Sequence, residues 1–198
     1  MGRKALIWYP GATYHITERG NHRNDIFRDV EDYKVYIRIL GEVLEKYNAI
    51  LYCYCMMTNH VHLVIETNNE IISKIMKRLN EFYTRYFNNK YILIGHLFQG
   101  RYHWDIVADD SYKLEVSRYI HLNPVKANMV QNPENYKWSS YGMFIGLNEE
   151  KLIDSSKILN YYKSINCREL YKKFVEQSIG TGTGTSISVP VTSRNNAK

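Results

Sequence analysis

Residues 50–66 constrain this chain more than any other stretch. The run ILYCYCMM (50–57) and the run VHLVIE (61–66) are apolar, strand-favouring segments joined across Thr58-Asn59. That pattern specifies an antiparallel hairpin. Within a strand, side chains at i and i+2 share a face. His60 and His62 therefore point together, while Val61, Leu63 and Ile65 point the opposite way. The apolar side must lie under helices. The histidine side needs a second cover, or a ligand that uses it.

The flanking sequence supplies the layers. Thr13–Arg19 (TYHITER) alternates as a strand and is stopped by Gly20-Asn21. Val30, Tyr33, Ile37, Leu40, Leu44 and Tyr47 recur at steps of three and four, which predicts a helix over 30–47 capped by Asp29. Ile72, Ile75, Leu79, Phe82 and Tyr86 predict a second helix over 70–88, whose Lys74, Lys77, Arg78 and Arg85 read as a solvated face. After Gly95 and Gly100, residues 102–108 (YHWDIVA) read as a fourth strand. Asp109 or Asp110 then caps a third helix ending near Pro124. The order β-α-β-β-α-β-α makes this an α+β chain whose first six elements match the ferredoxin-like βαββαβ sandwich, an antiparallel sheet with two helices on one face. The third helix is free to cover the other. Tyr136–Phe144 and Ile158–Val175 read as a helical C-terminal extension. The expected organisation is a core over 1–130, that extension over 131–177 as part of the same domain, and a low-complexity, disordered tail over 178–198.

Composition narrows the partners. Lys and Arg number 26 against 20 Asp and Glu, a net charge of +6 that favours a polyanion. Tyrosine is over-used, with 18 residues against 6 Phe and 3 Trp, and its rings can stack on bases while its hydroxyl can act as a nucleophile. No apolar run approaches the ~18–20 residues that span a bilayer, and no signal-peptide pattern follows the N-terminus. A cytoplasmic protein without membrane contact is expected. Three cysteines build no disulfide framework. The absence of a G-x-x-x-x-G-K-[ST] loop argues against a nucleotide cofactor.

On the third helix, Tyr112, Val116, Tyr119 and Asn123 follow steps of four, three and four and share one stripe. If that stripe crosses the histidine face, two imidazoles, a carboxamide oxygen and a phenol converge. Such donors suit a divalent cation that keeps positions open for a phosphate oxygen. Blander readings stand beside this one. His60 and His62 can be a hydrogen-bonded pair on a sheet surface, Tyr119 a core or rim residue, and Asn123 the terminator of a helix before Pro124. Cys53 and Cys55 with the two histidines would make a tetrahedral zinc site at unusual spacing, or the cysteines are small apolar core residues. An H-x-H-x-D metallohydrolase motif fails because position 64 is Val.

Longer stretches carry a family resemblance. Tyr14-His15-Ile16-Thr17-Glu18-Arg19-Gly20-Asn21, Asn59-His60-Val61-His62-Leu63-Val64, Phe98-Gln99-Gly100-Arg101-Tyr102, Arg118 to Ala127 (RYIHLNPVKA) and Trp138-Ser139-Ser140-Tyr141 resemble, in order over about residues 8–145, the single-tyrosine HUH transposases, and most closely the REP-associated tyrosine transposases. The resemblance implies that His60, His62 and Asn123 ligate Mg²⁺ or Mn²⁺ and that Tyr119 is the nucleophile. Family members cut single-stranded DNA near hairpins through a 5′-phosphotyrosine link and leave a free 3′ hydroxyl. Thr58 stands where the family usually has proline. Arg19, Asn21, Arg23, Arg101 and Lys126, in loops or strand ends near the presumed site, are candidate DNA contacts or ordinary solvated polar residues. Members act as monomers or dimers, so a homodimer is among the implied assemblies. Two rivals remain: a non-catalytic nucleic-acid-binding module, because fold does not fix function, and a domesticated transposase serving a host process.

Overall fold

The computed structural model describes residues 6–177 and 179. Its core elements are β1 (Ala12–Arg19), α1 (Val30–Tyr47), β2 (Ile50–Met57), β3 (His60–Thr67), α2 (Ile72–Tyr91), β4 (His103–Ile106) and α3 (Asp110–Lys126). The strands form one sheet in the order β2-β3-β1-β4, antiparallel throughout. This is the ferredoxin-like α+β sandwich. The tail expected over 178–198 lies outside the described residues except for Ile179.

Alternation along the two central strands divides the sheet into two faces. Tyr14 and Ile16 of β1 and Val61, Leu63 and Ile65 of β3 are fully buried, in one core cluster with Tyr36, Leu40 and Leu44 of α1. From α2 come Ile72, Ile75, Met76, Leu79, Tyr83 and Phe87. The buried stripe of α2 thus runs through Tyr83 and Phe87 rather than Phe82 and Tyr86. A step of four after Leu79 follows the 3.6-residue turn more closely, and the Tyr83 hydroxyl donates to the Ile26 carbonyl. On α1, Tyr36 and Val43 are buried, whereas Val30 is half exposed. Asp29 caps α1 by accepting from Glu31 and Asp32 N–H groups, and Asp32 reciprocates toward the Asp29 N–H. The Asp32 carboxylate also meets Lys90 Nζ at 2.7 Å, tying the start of α1 to the end of α2.

Two expectations are corrected. Helix α3 does not stop at Pro124 but runs on to Lys126. The proline sits in the last turn, where only one intrahelical bond is lost, and its carbonyl still accepts from Met129 N–H at 2.9 Å. The C-terminal extension is less helical than its periodicity predicts. Of Tyr136–Phe144 only Tyr141–Phe144 (α4) is α-helical. Trp138 to Ser140 instead pair with β2, Met56 N–H donating to Trp138 C=O and Ser140 N–H to Tyr54 C=O. An uncovered β2 edge would leave unpaired peptide groups, and that demand overrides local propensity. Ile158–Val175 is likewise broken into α5 (Ser156–Leu159), a 3-10 turn (Asn160–Tyr162) and α6 (Cys167–Glu176), with Lys163 at φ 46° between them. Ile165, within that stretch, is exposed, while Tyr171 and Val175 are buried.

Helix α6 is fastened through a buried polar chain. The Tyr171 hydroxyl donates to Ser117 Oγ at 2.9 Å and lies 2.7 Å from His121 Nδ1. His121 Nε2 lies 2.8 Å from Ser140 Oγ. Burial pushes the His121 imidazole down to about 3, so it is neutral at physiological pH. Tyr171→Phe leaves these groups short of a partner, and a loss of about 1–3 kcal/mol is expected in urea unfolding; an unchanged midpoint would rule out the clamp.

A second stability prediction concerns Glu18, which is 3% exposed on the α2 side of β1 and accepts from the Asn80 amide. Burial pushes its carboxyl up to about 8, against the pull of that amide, from an ordinary value of 4.5. Between these values the folded chain holds a proton that the unfolded chain has released. Stability therefore falls as pH rises through that window and is level above it. The urea midpoint of the wild type should fall more steeply between about pH 5 and pH 8.5 than that of Glu18→Gln; parallel curves would contradict the assignment.

Candidate active site

The face of the sheet opposite α1 and α2 carries the histidines. Antiparallel pairing sets Thr17 of β1 opposite His62 and Arg19 opposite His60. Helix α3 lies over this side, in contact with β2. Tyr119 and Asn123, one turn apart, meet His60 and His62 in a pocket of about 620 Å³ whose walls include Arg19, Arg101 and Lys126. The stripe anticipated on the third helix and the strand pair therefore converge. The His62 ring lies 5.1 Å from His60 and 5.6 Å from Tyr119, nearly perpendicular to both.

The imidazoles are held by their δ nitrogens. His62 Nδ1 is 3.1 Å from Thr17 Oγ1 and 3.2 Å from His15 Nε2, and His60 Nδ1 is 2.7 Å from Asn59 Oδ1. Among the described residues no hydrogen bond engages Nε2 of either ring. Asn123 donates through Nδ2 to the Tyr119 carbonyl at 2.9 Å, which leaves Oδ1 for the pocket. Two ε nitrogens and one amide oxygen, with the opposite nitrogens oriented by neighbouring groups, form a donor set that fits a divalent cation. Burial, reinforced by Arg19, pushes the His60 imidazole down to about 4. Burial and then His15 hold His62 well below the ordinary range. Both rings are thus in the neutral form that offers a lone pair to a metal.

The cysteine alternative is not assembled. Cys55 lies opposite His62 across β2 and β3, yet no cluster of three or more His, Cys, Asp or Glu suited to a metal occurs among the described residues. Cys53 and Cys55 are fully buried, and burial pushes both thiols up, toward the form that does not ligate. They act as apolar core residues.

The five candidate DNA contacts divide. Arg19, Arg101 and Lys126 are exposed on the pocket walls, and Lys126 Nζ stands 5.1 Å over the Tyr119 ring. Asn21 and Arg23 lie in the turn after β1, off the pocket wall. That turn is tightly specified: a Cβ at Gly20 would lie 2.1 Å from Asn24 O, and His22 and Arg23 take φ of 51° and 61°. It is bound to the hairpin turn, Gly20 N–H donating to Asn59 C=O and Asn59 Nδ2 to Arg23 C=O. Thr58 serves this junction without proline, its carbonyl accepting from the Ile26 and Phe27 N–H groups. Residues whose place at the site was missed are His15, Thr17, Gln99 and His103. Alternation in TYHIT puts His15 and Thr17 on one face, but their place beside His62 depends on the β1/β3 register.

Comparison with known proteins agrees with this architecture. The family described as Transposase IS200 like matches residues 9–123, more than half of the chain. A search of curated proteins finds no match. Among solved structures, a REP-associated tyrosine transposase bound to a REP hairpin is similar with a TM-score of 0.62 at 15% identity, covering 80% of this chain and 93% of that one. A transposase candidate from Deinococcus radiodurans R1 aligns at 19% identity over 61% of this chain and 95% of its own, with a TM-score of 0.43. The first of these shares the fold. The family match runs from the segment before β1 to Asn123 and takes in both histidines and Tyr119. The chain belongs to the IS200-like transposase family.

Proposed function

We propose that this transposase cuts and rejoins single-stranded DNA beside a hairpin, with Tyr119 as the nucleophile. The observation that carries this reading is the meeting of Tyr119 and Asn123 on α3 with His60 and His62 on β3 in one pocket rimmed by cations. The hairpin is taken over from the solved relative, which holds one. The Tyr119 hydroxyl loses its proton and bonds to phosphorus, and the bond from phosphorus to the 3′ oxygen breaks. The 5′ end is left on the protein as a phosphotyrosine, and the departing oxygen takes up a proton as a free 3′ hydroxyl. Attack by a 3′ hydroxyl on that link reverses the step and frees Tyr119. One phosphoester is exchanged for another, so rejoining requires no nucleotide cofactor.

Each side chain has a defined task. His60 and His62 through Nε2, and Asn123 through Oδ1, would hold Mg²⁺ or Mn²⁺, which when bound neutralises charge on the scissile phosphate and the departing oxygen. Asn59, Thr17 and His15 fix the ring orientations. Lys126, over the Tyr119 ring, offsets the negative charge that develops where phenol meets phosphate. Arg19 and Arg101, exposed on the walls, bind neighbouring backbone phosphates.

Wild type incubated with labelled hairpin-flanked single strands and Mn²⁺ should give a protein–DNA adduct that survives denaturation, and Tyr119→Phe should give none. An adduct in the Phe variant, or none in the wild type, defeats the assignment. His60→Ala should lower cleavage by at least about 100-fold while salt-dependent DNA binding in EDTA changes little. Equal loss of cleavage and binding would mean that the histidine is only structural. EDTA should stop cutting, and added Mg²⁺ or Mn²⁺ should restore it.

A further inference from the structure

A second concavity lies between α2 and the segment that leads into β4. It measures about 1080 Å³, above the ~300–1,000 Å³ usual for small-molecule sites, and its apolar wall is made by Leu97, Phe98, Tyr102 and Trp104. Lys77 and Arg85 of α2 stand along one side and Arg101 along the other. Both α2 cations are exposed, as the helical pattern predicts, and both also line this groove. Arg101 and His103 line both this groove and the histidine pocket, so the two adjoin at these side chains.

We propose that this groove holds the unpaired nucleotides that run on from the cleaved phosphate, with bases against Tyr102 and Trp104 and backbone phosphates along Lys77, Arg85 and Arg101. The inference rests on the single-strand reading of the Tyr119 site and names where that strand lies. Aromatic rings beside a cationic rim are what single strands use, because every base has a stacking face and every linkage a charge. Lys77 has no ion-pair partner among the described residues. Arg85 pairs with Glu81 at 3.1 Å, but both side chains are more than half exposed, so a phosphate can displace the carboxylate at little cost.

The test measures anisotropy in EDTA, where no strand is cut. The probes are oligo-dA of roughly 12 nucleotides, inside the ~4–16 range of single-strand sites, and a blunt DNA hairpin. Lys77→Glu with Arg85→Glu should weaken oligo-dA binding by about tenfold or more while hairpin binding stays within about twofold. Lys34→Glu with Lys46→Glu, the same charge change on α1, should leave oligo-dA binding nearly unaltered. Equal weakening of both probe types, an equal effect of the α1 reversal, or no effect of the α2 reversal overturns the groove. The Tyr119 adduct assay separates the two readings. Adduct formation with α2 variants that bind like wild type sinks the groove alone, whereas selective loss of oligo-dA binding without any wild-type adduct sinks the nuclease and keeps the groove.

Discussion

The register of β1 against β3 is the constraint on which the rest depends. Thr17 faces His62 and Arg19 faces His60 only in the observed pairing. A slip by one residue would turn the alternating side chains to opposite faces, sending His15 and Thr17 toward α1 and α2 and Tyr14 and Ile16 toward α3. Two things prevent it. Tyr14, Ile16, Val61, Leu63 and Ile65 are all fully buried, so any slip exposes or misplaces a large apolar surface. The turn after β1 is also bonded to the hairpin turn through Gly20 N–H and the Thr58 and Asn59 carbonyls. The alternation that makes the core is thus the same one that aims the imidazoles.

Helix α3 answers the other half of the problem, because it must present a phenol to a polar pocket while remaining fixed. Its buried residues are spread around its circumference. Leu114, Val116, Ile120 and Leu122 are buried, and so are Lys113, Ser117, His121 and Pro124. A helix packed on several sides shows little amphipathic contrast. Ser117 and His121 are satisfied on the side of α6 and the 138–140 segment, through Tyr171 and Ser140, and Lys113 by Asp110 one turn back. Tyr119 therefore projects from an element clamped from behind, and rigid support of this kind is what holds a reacting group in place.

What could be read in the sequence follows the range of the interaction concerned. The hairpin at 50–66, the Asp29 cap and the i, i+2 and i, i+4 spacings of His60-His62 and Tyr119-Asn123 are local, and each was legible. His15 beside His62 was not, because the contact spans 47 residues and exists only once a register is chosen. The segment 138–140 forms a ladder because β2 has an open edge, a fact external to that segment. Pro124 misled for a related reason: proline removes one hydrogen bond, and near the end of a helix already held by packing one bond does not decide where it stops. The groove-lining role of Lys77 and Arg85 depends on where the segment leading into β4 folds back over α2, which no helical pattern encodes.

Tyrosine excess illustrates the same separation of composition from position. Half of these rings are buried and not available to bases. Tyr14, Tyr36, Tyr52, Tyr83, Tyr141 and Tyr171 rank among the largest fully buried side chains. Several buried hydroxyls do what phenylalanine could not: Tyr14 donates to Ile7 C=O, Tyr83 to Ile26 C=O and Tyr136 to Met56 C=O, whereas the buried Tyr36 hydroxyl has no hydrogen-bond partner among the described residues. Burial pushes those phenols upward and keeps them protonated, unfit as nucleophiles. Tyr119 differs in lining an open, cation-rimmed pocket on the histidine face of the sheet. Under the proposed chemistry, Tyr119 is therefore set apart from the buried tyrosines by what stands across from it, the His62 imidazole on the far side of the pocket.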